Sequence, residues 1–288
     1  MHRIWQMKKR KDDIAVYTVI ASTERETAFA DVGIKAGFPS PGQDHIQESI
    51  DLNKVIVPHP ESTFIVVAPL GTTGENCIEE GNLLVIDQSL SPTNGSLVAC
   101  YIDGEFLIRT VLFIDGSLKL QSPGSSLIIV TEGTDYTFWG TVIATIRFNQ
   151  KRYFHSLNYQ PVSPLHSLNL PTFVQERIIG NIDLNNILIK NPPTTFITVA
   201  SGNSMNRDCI EDGNLLIIDK SLDSFDGCLA ACYIDGEFTL KRVKIETDTI
   251  WLLPSNPEFP PINVTASNTF LIWGIVVSII RFYQRRPV

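Results

Sequence analysis

The sequence predicts a mostly β protein built from two tandem domains of the same fold, and three observations support this. Residues 64–113 align without gaps on residues 196–245 with 26 identities in 50 positions, which marks a tandem duplication. Each copy contains short runs rich in Val, Ile, Leu and Phe that are separated by turn residues. A length of 288 residues is enough for two domains with their own cores.

Within each copy, strands are predicted where β-branched and apolar residues cluster between turn residues. In the first copy these segments are Leu83–Asp87, Ser96–Ile102, Glu105–Phe113 and Trp139–Phe148. Hairpin turns are predicted at Asp103-Gly104 and Asp235-Gly236, because aspartate and glycine tolerate a positive φ. Short helices are predicted at Asp44–Asn53 and Val174–Asn185, and the residues 150–168, rich in proline, serine and asparagine, are predicted to link the copies.

Composition and charge narrow the class of protein. Hydrophobic residues make up 43% of the chain and charged residues 19%, which fits a globular protein rather than a disordered one. The net charge of −8 argues against direct binding to duplex DNA, and the basic run at residues 8–11 is expected to be solvated. No signal peptide is expected in residues 1–20, and the most apolar stretch, Phe270–Ile280, is too short to span a bilayer. A cytoplasmic location without membrane contact is therefore expected.

The five cysteines favour a structural role. They form no Cys-x-x-Cys pair and have no partnering histidines, so neither a metal site nor a cofactor is expected. Cys77 matches Cys209 and Cys100 matches Cys232 across the repeat, which indicates inherited core positions, and Cys228 is the fifth. We therefore expect buried free thiols in a reducing compartment.

The differences between the two copies are concentrated. Two windows differ at every position: eight consecutive places in 69–76 against 201–208, and four in 107–110 against 239–242. Another run of four differences falls in a polar turn, where sequence drift costs little. Different constraints have therefore acted on the two copies in the first two windows.

The two windows of the second copy contain Ser204 and Lys241, residue types that together can cleave an acyl bond. A serine hydroxyl needs a base, and lysine can provide one if desolvation lowers its pKa toward the working pH. None of the five histidines lies in the core of the second copy, which excludes a Ser-His-Asp arrangement there. The first copy has Thr72 and Arg109 instead, and arginine does not deprotonate in proteins. A lone serine and a lone lysine at this spacing are usually structural. The evidence for a catalytic pair therefore comes from the surrounding motifs and from the loss of both residues in the first copy.

Neighbouring residues fit this chemistry. Residues two apart on a strand share a face, so Thr239 is expected beside Lys241 on an otherwise apolar face. Gly202 and Asn203 allow a tight turn that exposes the hydroxyl of Ser204, and the Ser204 amide is a candidate donor to the oxyanion.

Five motifs of the chain form a specific set. They are Gly37-Phe-Pro-Ser-Pro41, Ile50-Asp-Leu-Asn53, Ser201-Gly-Asn-Ser-Met205, Glu211–Asp219 and Asp235–Lys241. Together they resemble the UmuD branch of the LexA-like self-cleaving serine peptidases, from about residue 30 to residue 288 and twice over. The resemblance implies a LexA/signal-peptidase-like β fold for each copy, a pseudo-dimer within one chain, and a Ser-Lys dyad.

By this resemblance, Ser204 is the nucleophile and Lys241 its general base, with Met205 and Thr239 in supporting positions. The family cleaves its own N-terminal arm after RecA–single-stranded-DNA filaments form, which here implies cleavage at Ala36–Gly37. The processed proteins support error-prone translesion synthesis in the SOS response with the UmuC polymerase, and the sliding clamp is a further expected partner. The implied domains are the arm at 1–36, the first copy at 37–149, and the second copy at 169–288 after the linker.

The duplication separates the cleavable bond from the intact dyad. The arm precedes the first copy, whose dyad is broken, while Leu168-Asn-Leu-Pro171 replaces the cleavage motif in the second copy. In the family, single-copy proteins dimerise, and the arm of one subunit can enter the active site of the other. By this resemblance, cleavage here is expected between tandem domains of one chain, aided by the effective concentration that the tether provides. The first copy also lacks two residues near the stretch that matches residues 254–257. Random decay of a redundant copy and selection for an asymmetric pair both remain open, as does further association into a homo-oligomer.

The alternative function is a non-cleaving interaction module that binds a polymerase or RecA. A repressor of the LexA or phage type needs an N-terminal helix-turn-helix, which 36 residues with a basic start and a β-like run at Ile14–Ile20 do not supply. A signal peptidase needs a membrane anchor. Both of these classes are therefore disfavoured.

Overall fold

The computed structural model describes residues 16–19, 27–34, 46–68, 77–103, 105–122, 127–131, 133–149 and 178–283. The predicted linker, the bond Ala36–Gly37 and Thr72 lie outside the described residues. The arm and the first copy contain β1 (Val16–Val19), β2 (Thr27–Ile34), β3 (Ile46–Ile50), α1 (Leu52–Ile56), β4 (Thr63–Val67), β5 (Leu83–Asp87), β6 (Leu97–Ile102), β7 (Glu105–Ile114), β8 (Ser117–Gln121), β9 (Ile128–Ile129) and β10 (Tyr136–Phe148). The second copy contains β11 (Ile178–Ile182), α2 (Leu184–Leu188), β12 (Thr195–Ala200), β13 (Leu215–Asp219), β14 (Cys228–Ile234), β15 (Glu237–Ile245), β16 (Ile250–Leu253), β17 (Ile262–Val264) and β18 (Phe270–Phe282). These elements confirm the predicted mostly β class.

The two copies have the same strand order. In the first copy the antiparallel neighbours follow the order β4-β5-β10-β6-β7-β8-β9. In the second copy the order is β12-β13-β18-β14-β15-β16-β17. Equivalent strands therefore occupy equivalent places, as a tandem duplication requires.

Gly140 and Gly274, the glycines of the repeated Trp-Gly pairs, stand where the long strands β10 and β18 change partners. Gly140 has a φ of 153°, and a Cβ atom there would lie 2.7 Å from the carbonyl oxygen of Asp87. A Cβ atom at Gly274 would lie 2.6 Å from Cγ2 of Ile218. Only glycine fits this close approach of neighbouring strands, which accounts for its presence in both copies.

The strand predictions hold better than the helix predictions. The four strands predicted in the first copy are confirmed as β5, β6, β7 and β10, and the predicted turn at Asp235-Gly236 has φ values of 49° and 95°. The helices predicted at Asp44–Asn53 and Val174–Asn185 are wrong over most of their length. Strands β3 and β11 occupy those segments, and only the five-residue helices α1 and α2 follow them. The strands form because the arm pairs with them, an interaction that local sequence does not reveal.

A pseudo-two-fold axis relates the two copies. The ends of β10 and β18 pair antiparallel, and Ile146 lies directly opposite Ile280, its own equivalent in the repeat. The hydrophobic core beneath this pairing contains buried side chains from both copies. The contact is of the isologous kind found in symmetric dimers, here formed within one chain.

The repeated Ile-Asp-Leu-Asn motif forms a reciprocal hydrogen-bond network at this axis. The side-chain amide of Asn53 donates to Asp183 (2.9 Å), and that of Asn185 donates to Asp51 (2.7 Å). Each asparagine carbonyl accepts the first backbone N–H of the opposite helix, both at 2.9 Å. Each aspartate also caps its own helix. Because Asn53 and Asn185 are 0% and 1% exposed, the network replaces water for groups that would otherwise be buried unpaired.

Cys77 and Cys209, which occupy equivalent positions, form a disulfide between the copies with a Cα–Cα distance of 5.6 Å. The expectation of free thiols is therefore wrong for these two residues, because the pseudo-two-fold axis brings equivalent positions together. It is right for Cys100, Cys228 and Cys232, which are free and buried.

This disulfide predicts a specific thiol count. Protein that is denatured without reductant is expected to expose three reactive thiols, and five after reduction, since only Cys77 and Cys209 are bonded. Alkylation followed by intact mass measurement gives both counts. Five reactive thiols before reduction, in protein purified without reductant, would contradict the cross-link.

Candidate active site

Ser204 lies in a turn that follows strand β12. Gly202 has a φ of 83°, a left-handed conformation that favours glycine, and its backbone N–H donates to Asp212 at 2.9 Å. Met205 is only 2% exposed and packs into the hydrophobic core of the second copy, so it anchors the turn to that core. Its carbonyl oxygen also accepts hydrogen bonds from the backbone of Asp208 (3.1 Å) and Ile210 (3.2 Å).

The structure brings Ser204 and Lys241 together. Lys241 lies on strand β15, 37 residues from Ser204, and its Nζ atom is 3.0 Å from the Ser204 hydroxyl oxygen. This distance is within hydrogen-bond range, the geometry that a nucleophile and its base require. The pairing of β15 with β14, and of β14 with β18, positions the lysine on a central part of the sheet.

The surroundings of Lys241 favour its neutral form. The residue is 6% exposed, and burial lowers its pKa to about 8. Burial also raises the pKa of the neighbouring Cys232 thiol to about 12, so this thiol stays protonated near neutral pH and gives the ammonium no counter-charge.

Two acceptors orient the lysine. Its Nζ contacts the hydroxyl of Thr239 at 2.8 Å and the carbonyl oxygen of Leu240 at 3.0 Å. A neutral amine has two N–H donors and one lone pair, so these acceptors use both donors and leave the lone pair for the hydroxyl hydrogen of Ser204. Thr239 lies on the same face as Lys241, as the strand periodicity predicts.

A segment after β16 holds the backbone of the turn that carries Ser204. The carbonyl oxygen of Ser204 accepts hydrogen bonds from the backbone N–H groups of Ser255 (3.1 Å) and Asn256 (3.0 Å). The Asn256 side chain, 3% exposed, also donates to the carbonyl oxygen of Asn203 at 3.2 Å. Sequence reasoning missed these two residues as part of the site. The signal was available, because the first copy lacks two residues near this stretch.

A cleft of about 290 Å³ opens beside Ser204 and Lys241. Its lining comes from the serine turn, from the lysine strand and from one aromatic side chain further along: Ala200, Ser201, Gly202, Asn203, Ser204, Met205, Ile210, Thr239, Leu240, Lys241 and Phe259. Most of the lining is small or apolar, as is typical of ligand-binding clefts.

The first copy has Arg109 at the position that Lys241 occupies in the second copy. Arg109 points its guanidinium at the carbonyl oxygen of Ile108, with Nη1 at 2.8 Å, much as Lys241 contacts Leu240. The positive charge at this position is therefore the same in both copies, but a guanidinium does not give up its proton as an amine can. Its partner in the repeat, Thr72, lies outside the described residues.

Membrane-spanning helices and metal-binding clusters are both absent from the part of the chain that the structure describes. No helix there is long and apolar enough to cross a membrane. Within the same ranges, no group of three or more His, Cys, Asp or Glu side chains is placed to hold a metal ion.

Comparison with known proteins identifies the family. A family model described as Peptidase S24-like matches residues 30–143 and again residues 161–277. Protein ImpA of Salmonella typhimurium and of Escherichia coli is 37% identical over 84 residues, which cover 29% of this chain and 57% of the relative. The LexA repressor of Xylella fastidiosa (strain 9a5c) is 33% identical over 102 residues, which cover 35% of this chain and 48% of the relative.

The chain spans about half the length of the curated relatives it matches. The two family matches, by contrast, cover most of the chain and coincide with the two copies. The resemblance to LexA-like peptidases is thereby confirmed, and the chain belongs to the Peptidase S24-like family, with two family domains in tandem.

Proposed function

We propose that this protein is a self-cleaving serine peptidase in which the second copy cuts the arm in front of the first copy. The observation that carries the proposal is the 3.0 Å contact between Lys241 Nζ and Ser204 Oγ, made by a buried lysine whose pKa is lowered to about 8. A lysine in this state supplies a base close to neutral pH. The proposed bond is Ala36–Gly37.

In the first step the neutral amine of Lys241 removes the hydroxyl proton of Ser204, and the oxygen attacks the carbonyl carbon of Ala36. The backbone N–H of Ser204 is the candidate donor to the oxyanion. The bond to Gly37 then breaks, and the Lys241 ammonium returns its proton to the departing amine. The products of this step are a free N-terminus at Gly37 and an ester between Ser204 and Ala36.

In the second step water cleaves the ester. Lys241 accepts a proton from the water, and the hydroxide adds to the ester carbonyl. The proton then returns to Ser204 as its oxygen leaves. The enzyme is regenerated, and the arm ends in a free carboxylate at Ala36.

The path of the arm supports delivery of this bond to the second copy. Strand β2 runs parallel to β12, with Ile34 opposite Ala200, and both strands run toward the turn that carries Ser204. Strand β2 also approaches β15, the strand of Lys241. Ala36 follows Ile34 by two residues, which span at most about 7 Å. This path supports cleavage within one chain, in which the arm reaches Ser204 and Lys241 of its own second copy.

The cellular role we propose follows from the family. LexA repressor is among the relatives, and the UmuD-like motifs favour an SOS-response accessory protein stimulated by RecA–single-stranded-DNA filaments. After cleavage, the protein is proposed to support translesion synthesis with a UmuC-type polymerase, and the sliding clamp is a further proposed partner. The contact between Ser204 and Lys241 supports the chemistry, while the proposed partners follow from the resemblance.

Ser204→Ala is expected to abolish cleavage, because it removes the attacking oxygen. The protein is incubated with RecA, ATP and single-stranded DNA, or at alkaline pH alone, and the product is identified by intact mass and N-terminal sequencing. The wild-type chain is expected to yield a fragment beginning at Gly37.

The matched control is Thr72→Ala, which alters the equivalent position of the first copy and is expected to leave cleavage intact. Cleavage by the Ser204→Ala protein would contradict the proposed mechanism. Intact wild-type protein under every condition, still binding a UmuC-type polymerase, would instead support the alternative of a non-cleaving interaction module.

A further inference from the structure

The first strand of the arm fills a gap between the two copies. Strand β1 pairs antiparallel with β4 of the first copy and parallel with β11 of the second. At its centre, Tyr17 lies opposite Ile65 on one side and Gly180 on the other. Both edges of β1 are therefore satisfied, one by each copy.

The side chains of β1 belong to the core rather than to the surface. Tyr17 and Val19 are 4% and 8% exposed and pack in the hydrophobic core that both copies share. Thr18 is 3% exposed, and its hydroxyl donates to the side-chain oxygen of Asn181. Apolar burial and two strand edges together make this gap a binding groove for an extended peptide.

The second strand of the arm fills the equivalent gap across the pseudo-two-fold axis. Strand β2 pairs antiparallel with β3 and parallel with β12, which are the equivalents of β11 and β4. Strands β1 and β2 therefore run in opposite directions relative to equivalent neighbours: β1 is parallel to β11, whereas β2 is antiparallel to β3. Both strands belong to the same arm. Thr27, at the start of β2, is 4% exposed.

We propose that these two gaps form a peptide-binding site whose ligand is the chain's own arm, and that the fragment 1–36 stays bound after cleavage as a dissociable ligand. This inference rests on the proposed cleavage at Ala36–Gly37, which leaves β1 and β2 on the N-terminal fragment. Cleavage removes only the covalent tether and its effective concentration. It does not remove the strand pairing or the burial of Tyr17 and Val19.

Departure of the fragment has a clear structural cost. The edges of β3, β4, β11 and β12 lose their shared partners, and unpaired edges are open to pairing with other chains. The shared core also opens to water where Tyr17 and Val19 now pack. The cut protein is therefore a two-part complex, and release of the arm is a separate, later event.

The test uses the full chain carrying Ser204→Ala, so that self-cleavage plays no part. A recognition sequence for a site-specific protease is inserted between Ala36 and Gly37. After cutting, the mixture passes over a size-exclusion column under native conditions, and the contents of each peak are weighed by mass spectrometry. The fragment is expected to elute with the body. Elution as a separate small peptide overturns the inference, whether or not the wild-type chain cleaves itself.

The groove is tested by exchange, which leaves the body unchanged. A fluorescent synthetic peptide of residues 1–36 is added to the cut complex, and its uptake over hours is followed by anisotropy. The Tyr17→Ala peptide is expected to bind on the order of 100-fold more weakly, because it lacks a buried aromatic side chain. The Met7→Ala peptide, changed outside both strands, is the matched control. Failure of the unchanged peptide to exchange, or equal binding of the Tyr17→Ala peptide, contradicts the inference.

Discussion

Lys241→Arg is expected to slow self-cleavage by about 10³-fold or more, because it removes both the general base and the amine that fits against the Ser204 hydroxyl. Arginine keeps the positive charge but does not deprotonate, so it cannot accept the proton of Ser204. The first copy already carries this change at Arg109. The measurement is the first-order rate at which the fragment beginning at Gly37 appears, and Lys241→Ala is expected to give the same loss.

The pH dependence of the same reaction follows from the lysine. Because burial lowers the pKa of Lys241 to about 8 from 10.5, the neutral fraction grows as pH rises through that value. At pH 7 about a tenth of the molecules then carry the neutral amine, against roughly one in three thousand for an unshifted lysine. The wild-type rate is expected to rise with pH and to level off above about 9.

The matched control for both measurements is Lys244→Arg. Lys244 lies three residues along β15, is exposed and pairs with Glu246 at 2.5 Å. Its replacement is expected to change neither the rate nor the pH profile. A Lys241→Arg protein that cleaves within a few-fold of wild type, or a wild-type rate that does not change between pH 6 and 9, is incompatible with lysine as the base.

Asn53→Ala is expected to lower the free energy of unfolding by about 3 kcal/mol, which is large for a single substitution. The change removes one hydrogen bond to the Asp183 carboxylate and one from the first backbone N–H of α2. The backbone N–H of Leu184 loses its acceptor at a buried position, whereas the Asp183 carboxylate keeps the bonds from Asn185 and Asn186 of its own copy, so the cost is that of one unpaired donor and one lost hydrogen bond to a charged group. The urea midpoint at constant slope measures the effect.

Asn185 makes the same two kinds of hydrogen bond as Asn53, on the other side of the pseudo-two-fold axis. Asn185→Ala breaks the equivalent bonds and is expected to cost a similar amount, while the double variant is expected to cost less than the sum, because the two residues share one network. Asn263→Ala, at an exposed position on β17, is the control and is expected to change stability by less than about 0.5 kcal/mol. A change that small for Asn53→Ala would show that the network is not essential to the pairing of the copies.

Much of the fold could be predicted from sequence because the information is local. Strand segments carry β-branched residues, and Asp235-Gly236 encodes its own turn. The helix prediction over Asp44–Asn53 failed because Ile46–Ile50 takes its conformation from strand β2, which pairs with it. Local propensity contains no trace of that partner.

The disulfide between Cys77 and Cys209 could not be predicted from sequence, because it depends on the pseudo-two-fold symmetry. Alignment of the repeat shows that Cys77 and Cys209 are equivalent, but equivalence alone does not bring residues into contact. Residues that lie on a two-fold axis meet their own equivalents, as Ile146 and Ile280 also do. The position of the axis is a tertiary property, so the disulfide was missed although both cysteines were matched.

The pairing of Ser204 with Lys241 could be predicted from sequence, whereas the backbone contacts that hold the serine turn could not. Ser204 and Lys241 could be proposed because their chemistry is specific and both residues differ in the other copy. The backbone hydrogen bonds from Ser255 and Asn256 depend on how the segment after β16 folds over the serine turn. That arrangement leaves no residue pattern apart from a length difference between the copies.

The most direct test of cleavage within one chain is the rate at which the Gly37 fragment appears at protein concentrations that differ by about 100-fold. If the dyad of the second copy cuts the arm of its own chain, the half-life is expected to be the same at every concentration. A half-life that lengthens in proportion to dilution would contradict this, because it would show that one molecule cleaves another.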